Sequence, residues 1–236
     1  MNSKMKAFVI TIQGNDVSEH AAQVCIESSA AVGNSFTPET FNAITPDKVE
    51  NMMRYKNLRW NYPWQNVQID LTSGLTKSPY VTAEPKKRMA CALSHYSLWE
   101  SCLQLNEPIL VLEHDALFTN KLDDELFSVK KRGIIGVNDP RGATRRSAVF
   151  YEEIVKNVGK IQRIPTIDSD SVPQGLAGNS AYIIQPGAAK KLIDAVDYYG
   201  LWPNDALMCR QLFPTMLWVT KKFYTTIQKI ESSTTL

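Results

Sequence analysis

The first part of the chain alternates between apolar runs and amphipathic stretches, a pattern that predicts a strand, a helix and a second strand. Residues 6–12 (KAFVITI) are a short β-prone run, and residues 18–33 carry small and apolar side chains at helical spacing up to Gly33. Residues 39–45 (ETFNAIT) are predicted to form the second strand. This order is typical of a parallel α/β unit.

The strongest helical pattern is followed directly by the most apolar strand. Residues 86–105 place apolar side chains on two helical faces, which predicts a helix buried between layers. Residues 107–116 (EPILVLEHDA) contain a continuous apolar run, and such runs mark strands that are covered on both faces. We therefore expect this strand at the centre of the sheet.

The C-terminal part of the chain repeats the alternation of strands and helices. The elements predicted there are strands at 132–137 and 179–185, helices at 186–200 and 202–213, and one or two closing strands at 215–228. Residues 138–153, which include three arginines, and the turn-rich residues 164–178 are expected to be surface loops, the first of them mobile.

Residues 46–86 are less regular and are interpreted as an insertion with one helix near 47–57. Its aromatic side chains are suited either to stacking on a sugar or base or to packing the insertion onto the core. They are Tyr55, Trp60, Tyr62, Trp64 and Tyr80. Because no repeat or clear linker is visible, we predict a single α/β domain over residues 1–236 with a central, mostly parallel sheet.

Composition supports a globular protein and argues against several classes of partner. Hydrophobic residues make up 44% of the chain and charged residues 21%, so a sizeable core is possible. A formal net charge of +2 does not favour binding to nucleic acid or to a membrane surface. No apolar run approaches the roughly 18 residues of a membrane span, and the N-terminal run is too short for a signal peptide.

The four cysteines are scattered along the chain without a CxxC pair. A chain of 236 residues can build a core without disulfides, so we interpret these residues as reduced, mostly buried thiols of a cytoplasmic protein. Cys91 and His95 lie one helical turn apart, a spacing that suits Cys–His chemistry or a metal but is more typical of a packed helix face. The chain has no GxSxG, GxxxxGK or GxGxxG motif.

The candidate chemistry lies at the end of the central strand, where Glu113 and Asp115 are separated by one residue. Ligands of open α/β sheets bind beyond the carboxyl ends of the strands. In an extended segment both side chains leave on the same side, and two close carboxylates repel each other unless a cation joins them. Hard oxygen ligands favour Mg²⁺ or Mn²⁺. The alternative is that Asp115 only caps the next turn.

Residues 88–118, which contain ALSHYSLWESCLQLNEPILVLEHDALF, resemble the hallmark segment of glycosyltransferase family 25, which includes lipopolysaccharide and collagen galactosyltransferases. The matching positions are Cys91, Leu93, Ser94, His95 and Trp99 in the helix and Leu112, Glu113, Asp115 and Ala116 in the strand. Weaker similarity covers most of the remaining chain. His114 stands where the family usually has an acid, and an Asp-Gly pair typical of the second strand is missing.

The resemblance implies a GT-A-like (Rossmann-like) fold, a nucleotide-sugar donor that is usually UDP-linked, and Mn²⁺ or Mg²⁺ held by Glu113 and Asp115. Thr11 and Ile12 then stand where the nucleoside is usually bound. Arg88, with Lys86 and Lys87, is suited to meeting phosphate or to capping a solvated helix start. Residues Arg141, Arg145 and Arg146 are suited to a loop that orders over the donor.

The implied reaction is metal-dependent transfer of a hexose, with inversion, to a hydroxyl of a glycan or lipopolysaccharide-type acceptor. Asp205 is the first candidate for the base that deprotonates the acceptor, ahead of Asp168 and Asp170. Its alternative role is a helix N-cap. His114 favours a rival hypothesis, a degenerate, non-catalytic member that binds a glycan or a partner. A nucleotidyltransferase is less favoured because its glycine-rich basic loop is not found.

Overall fold

Seven strands form one central sheet in the computed structural model, which describes residues 5–128, 133–142 and 146–230. The strands are β1 (Lys6–Thr11), β2 (Glu39–Asn42), β3 (Gln68–Ile69), β4 (Thr76–Lys77), β5 (Ile109–Glu113), β6 (Ala116–Phe118), β7 (Ile134–Gly136), β8 (Ile161–Arg163), β9 (Ala181–Ile184), β10 (Leu217–Thr220) and β11 (Thr225–Ile227). The helices are α1 (Asp16–Ala31), α2 (Val49–Tyr55), α3 (Pro85–Leu105), α4 (Glu125–Ser128), α5 (Ser147–Lys156), α6 (Pro186–Tyr199) and α7 (Asn204–Leu207).

The central sheet has the strand order β2-β1-β5-β9-β7-β10-β8. The pairs β1–β2, β1–β5 and β7–β10 are parallel, whereas β9 is antiparallel to both of its neighbours and β8 is antiparallel to β10. Five strands therefore run in one direction and two in the other. The predicted fold class, α/β with a mostly parallel sheet, is confirmed. Strands β6 and β11 form a separate two-stranded sheet, as do β3 and β4.

Strand β5 is buried on both faces, as its continuous apolar run predicts. Ile109 and Val111 belong to one core cluster, which they share with α3 and α6, whereas Leu110 and Leu112 belong to a second cluster that they share with α1. Successive side chains of a strand point to opposite faces, so every position of the run needs an apolar residue.

Helix α3 is buried between layers, which confirms the prediction from its two apolar faces. Leu93, Leu98 and Trp99 are all fully buried, and the helix packs against α6. It ends at Asn106, which adopts a left-handed conformation with φ of 51° and closes the last turn through its N–H to the carbonyl of Leu103. In the described part of the chain, no helix is both long and apolar enough to cross a bilayer.

Two predictions for the C-terminal half are wrong. Within the predicted loop 138–153 the chain forms α5, because Phe150 and Ile154, one helical turn apart, are both buried. The helix predicted for 202–213 is limited to the single turn α7. There the chain leaves the helix because Cys209 pairs with Gly175 and the N–H of Arg210 donates to the carbonyl of Gln174.

The insertion at 46–86 contains a 3-10 turn (Pro46–Lys48), helix α2 and the β3–β4 hairpin. A buried ion pair anchors the hairpin, since Nζ of Lys77 lies 2.8 Å from Oδ2 of Asp70 and donates to the carbonyl of Asn61. Tyr62 packs against Trp202, which is the role of a side chain that fixes a loop to the core. The assignment of residues 1–236 to one domain stays a prediction.

Candidate active site

A cavity of about 250 Å³ opens at the carboxyl ends of the parallel strands β1 and β5. Its polar lining includes Glu113, His114, Asp115 and His95. Its apolar lining includes Ile10, Ile12 and Ile44, together with Ile227 and Ile230 from the C-terminal segment. The cavity therefore lies where ligands of open α/β sheets bind, and it combines apolar walls with acidic groups.

Glu113 and Asp115 line this one cavity, but the chain between them is not extended. Strand β5 ends at Glu113, and His114 and Asp115 form a turn into β6. Gln228 holds the turn, because its backbone N–H donates to the carbonyl of Asp115 (2.7 Å) and its Nε2 donates to the carbonyl of His114 (3.2 Å). The sequence correctly predicts the location of the pair, but a turn rather than strand alternation brings the two side chains together.

The pKa values of the two carboxyl groups are shifted in opposite directions. Burial alone would raise the pKa of Glu113, but the hydrogen bond from His95 and the nearby positive groups, including Arg88, hold this pKa below its ordinary value. For Asp115, burial and the charge of Glu113 raise the pKa to about 7, against an opposing hydrogen bond from Ser180. The site thus favours the ionised form of Glu113 and disfavours the ionised form of Asp115.

The donor set fits a divalent cation. Oδ1 of Asp115 is buried and has no hydrogen-bond partner among the described residues, so it is free to act as a ligand. Two carboxylates supply the hard oxygen atoms that Mg²⁺ and Mn²⁺ prefer. A cation between them also removes the repulsion that raises the pKa of Asp115.

His114 reaches toward α1 rather than adding an acid to the site. Its Nδ1 lies 2.9 Å from Oγ of Ser18, which itself accepts the backbone N–H of Ile12 at 2.8 Å. Burial lowers the pKa of His114, against the charge of Glu113, and this favours the neutral ring. His114 stands where an acid was expected, and its ring is therefore accommodated by a hydrogen bond to the neighbouring helix.

Cys91, His95 and Glu113 place one potential ligand atom each within 4.8 Å of one another. Burial and the charge of Glu113 raise the pKa of the Cys91 thiol well above its ordinary value, and Sγ lies 3.7 Å from Oδ1 of Asn204. A thiol that keeps its proton is a poor nucleophile. The alternative of Cys–His chemistry is therefore not supported by the environment of Cys91.

Arg88 is buried beside the acidic groups. Its guanidinium lies 3.7 Å from the ring centroid of Tyr80, and its Nε is buried without a hydrogen-bond partner in the described part of the chain. Its positive charge favours the ionised forms of both Glu113 and Asp205 and so acts to lower their pKa values. Lys86 instead forms an exposed ion pair with Glu50. The capping alternative for this basic run thus suits Lys86, whereas Lys87 lines the cavity and Arg88 lies close to Glu113 and Asp205.

Asp205 lies at the first turn of α7 but does not cap it, since Pro203 occupies the N-cap position. Its carboxylate accepts the N–H of Ala206 at 3.0 Å and reaches solvent. The protein atoms crowded around it raise its pKa, with Arg88 opposing and Glu113 adding to this effect. Gly175 is required here, because a Cβ at that position would lie 2.6 Å from the carbonyl oxygens of Asp205 and Met208.

The two other acids proposed as bases occupy different positions. Asp168 forms an ion pair with Arg146 at 2.5 Å and shares with Asp205 a shallow depression of about 300 Å³. Asp170 is exposed, with its carboxylate 3.9 Å from the guanidinium of Arg210. The structure therefore brings Asp168 and Asp205 together, and it places Asp170 at the solvent-facing side of the same loop.

Not all of the residues predicted to bind the donor line the cavity. Ile12 lines the cavity, whereas the side chain of Thr11 is buried and donates to the carbonyl of Val9 at 3.0 Å. Arg141 pairs with Asp139 and stacks on the ring of Tyr151. Arg145 lies outside the described residues.

Three residues near the site were missed by sequence reasoning. Asn179 is buried, and neither atom of its amide has a hydrogen-bond partner in the described ranges. The next residue, Ser180, accepts the N–H of Glu113 through its carbonyl at 2.9 Å. Tyr182 lies beneath the site and bonds to His95 at 2.8 Å. Asn179 and Ser180, the polar residues before the apolar run of β9, were the available sequence signal.

The comparisons with known proteins give one family and several distant structures. Residues 5–208 match the family model described as glycosyltransferase family 25 (LPS biosynthesis protein), and no curated protein matches the chain. Mouse xyloside xylosyltransferase 1 in its apo form is similar at 11% identity, with 90% of this chain and 83% of that chain covered and a TM-score of 0.42.

Two structures of the glycosyltransferase GlyE from Streptococcus pneumoniae TIGR4 are also similar to this chain. The apo form is 13% identical, with 96% of this chain and 46% of that chain covered and a TM-score of 0.40. The other is 11% identical, with 92% of this chain and 45% of that chain covered and a TM-score of 0.39. This chain thus spans less than half of the GlyE chains.

Proposed function

The chain belongs to glycosyltransferase family 25, and from this premise we propose that it transfers a hexose from a UDP-linked donor to a hydroxyl of a glycan or lipopolysaccharide-type acceptor. The observation that carries the proposal is the paired carboxyl groups of Glu113 and Asp115 in a cavity at the carboxyl ends of β1 and β5. Oδ1 of Asp115 is buried at this cavity without a hydrogen-bond partner among the described residues, so it can bind a ligand there.

Glu113 and Asp115 are the residues that would hold Mn²⁺ or Mg²⁺. When bound there, such an ion supplies positive charge to the diphosphate leaving group. Arg88 supplies a further positive charge from the protein close to Glu113, and its guanidinium is proposed to bond to a phosphate oxygen of the donor. The apolar wall that includes Ile12 and Ile44 is suited to the nucleoside. Thr11 contributes by holding the end of β1 through its backbone.

Asp205 is the proposed catalytic base, followed by Asp168 and Asp170. The acceptor oxygen forms a bond to the anomeric carbon as its proton passes to the carboxylate and the bond from that carbon to the diphosphate oxygen breaks. Attack from the face opposite the leaving group gives inversion. A raised pKa suits Asp205 to this role, because a base is most effective when its pKa lies near the working pH.

The proposed setting is the cytoplasm, which is supported by four free cysteines, three of them buried. The net charge of +2 gives no support for nucleic acid as a partner. A second candidate function is glycan or partner binding without turnover, and His114 is the residue that favours it. The hydrogen bond between His114 and Ser18 supports the catalytic proposal instead, because the ring is accommodated within the site.

Donor hydrolysis with Mn²⁺ and a panel of UDP-galactose, UDP-glucose and their N-acetyl forms tests the proposal. We expect one donor to be hydrolysed, and we expect Asp115→Asn to abolish its turnover. Asp194→Asn is the matched control, since Asp194 is an exposed carboxylate of α6 that pairs with Lys190, and it is expected to keep most of the activity. Donor binding without turnover would support the non-catalytic alternative, and the absence of any donor binding would contradict the catalytic proposal.

A further inference from the structure

A chain of hydrogen bonds connects the buried core to the Glu113 carboxylate. Nε1 of Trp99 lies 3.0 Å from Oη of Tyr182, which lies 2.8 Å from Nδ1 of His95. Nε2 of His95 then lies 3.1 Å from Oε1 of Glu113. Trp99, Tyr182 and His95 are fully buried, whereas the Glu113 side chain is 31% exposed. Glu113 is therefore the end of this hydrogen-bond network that reaches the cavity.

The direction of each hydrogen bond follows from the groups that can donate. An indole N–H can only donate, so the oxygen of Tyr182 accepts the bond from Trp99. The single hydroxyl proton of Tyr182 is then satisfied when it is donated to Nδ1 of His95. With Nδ1 accepting, the ring proton lies on Nε2, where it is donated to the Glu113 carboxylate. This arrangement leaves no buried donor of these three residues unpaired, as buried polar groups require.

We propose that His95 is a positioning residue, held in one tautomer by Tyr182 and Trp99, which orients the Glu113 carboxylate for its cation. The inference rests on the proposed function, in which Glu113 and Asp115 hold Mn²⁺ or Mg²⁺. The N–H of His95 occupies Oε1 of Glu113 and leaves Oε2 available as a ligand. Because Nε2 carries the proton in this arrangement, His95 holds the Glu113 carboxylate by a hydrogen bond and leaves the cation to the carboxylate oxygens.

The strand pairing builds this chain from distant parts of the sequence. Tyr182 of β9 lies opposite Val111 of β5, two residues before Glu113, and its ring stacks on His95 with the centroids 5.8 Å apart. Partners that orient a metal-binding carboxylate affect metal affinity even though they do not touch the ion. Removal of such a partner typically weakens metal binding about 10- to 100-fold.

Calorimetric titration of the full chain with Mn²⁺ tests the inference, with the melting temperature measured for every variant. We expect Tyr182→Phe and His95→Leu to weaken Mn²⁺ binding at least about tenfold. His95→Gln is expected to restore most of the affinity, because a glutamine amide can place an N–H near the position of Nε2. Cys102→Ala is the matched control, since Cys102 is a fully buried residue of the same helix that bonds to the carbonyls of Glu107 and Ile184 instead.

The outcomes separate this inference from the proposed function. If Mn²⁺ binds the parent protein and binds all four variants equally while their melting temperatures fall, the hydrogen-bond network is purely structural and the inference is overturned. The inference is also overturned if Cys102→Ala weakens Mn²⁺ binding as much as Tyr182→Phe does. If Mn²⁺ does not bind the parent protein, the proposed metal site fails and the inference fails with it.

Discussion

Burial and the charge of Glu113 raise the pKa of its neighbour Asp115 to about 7, because the turn that follows β5 leaves both side chains at one cavity. The site therefore contains an acid that is unfavourable in its charged form unless a cation is present. Sites that bind metals and substrates often retain such locally unfavourable groups at a cost in stability.

Asp115→Asn is expected to stabilise the metal-free protein even though it abolishes turnover. An acid with a raised folded pKa binds more protons in the folded state, so stability falls as pH rises between about 4 and 7. Asparagine resembles the protonated acid and avoids this loss. We expect the free energy of unfolding at pH 8 to rise by about 1–3 kcal/mol, measured by urea unfolding with a chelator present. The gain should vanish near pH 4, and lower stability at pH 8 would contradict the assignment.

Asp205→Asn is expected to lower kcat by about 10²- to 10⁴-fold with little change in donor KM, because it removes a base rather than a donor contact. Since a base must be ionised and the pKa of Asp205 is raised, activity should fall as pH drops through that raised value. The acid limb of the pH profile should therefore lie above that of an ordinary aspartate, at about 3.9. Asp168→Asn, in the same depression, is the control, and a larger loss there would reassign the base.

Arg88→Met is expected to weaken UDP binding about tenfold or more, since methionine keeps part of the buried apolar stem but loses the guanidinium. Hydrogen bonds to a charged group contribute about 1.5–3 kcal/mol, which corresponds to this loss. Binding is measured by calorimetry. Lys86→Met is the control, since Lys86 pairs with Glu50 at the surface, and it should leave UDP affinity unchanged. Equal effects of the two substitutions would indicate a general effect of charge rather than a contact from Arg88.

Lys77→Met is expected to lower the free energy of unfolding by about 3–5 kcal/mol, because it leaves Asp70 buried and unpaired. Asp70→Asn combined with Lys77→Met should recover part of this loss in urea unfolding. Burial would raise the pKa of Asp70, but the hydrogen bond and charge of Lys77 hold it below its ordinary value. The stabilisation is therefore present above about pH 4 and is lost as pH falls further. A double variant no more stable than Lys77→Met would contradict this account.

Local pattern predicted the framework that carries the site. The apolar run of β5 predicted a strand buried on both faces, and the two-faced pattern of residues 86–105 predicted the buried helix α3. These predictions succeed because both patterns report burial of the element itself. The predictions for two segments were wrong, because long-range contacts decide the conformation there. The predicted helix at 202–213 gives way to pairing between Cys209 and Gly175, and α5 forms within the predicted loop where Phe150 and Ile154 find a core.

The sequence by itself determined the family and the place of the acidic pair, because the Glu113 and Asp115 motif and the strand before it are contiguous. Only the tertiary structure decided which groups surround that pair. The antiparallel insertion of β9 beside β5 brings Ser180 and Tyr182 to the site, and the packing of α3 places Arg88 and His95 beside Glu113. Spacing along a chain limits contacts within one element, whereas contacts between elements depend on strand order and on how the layers pack.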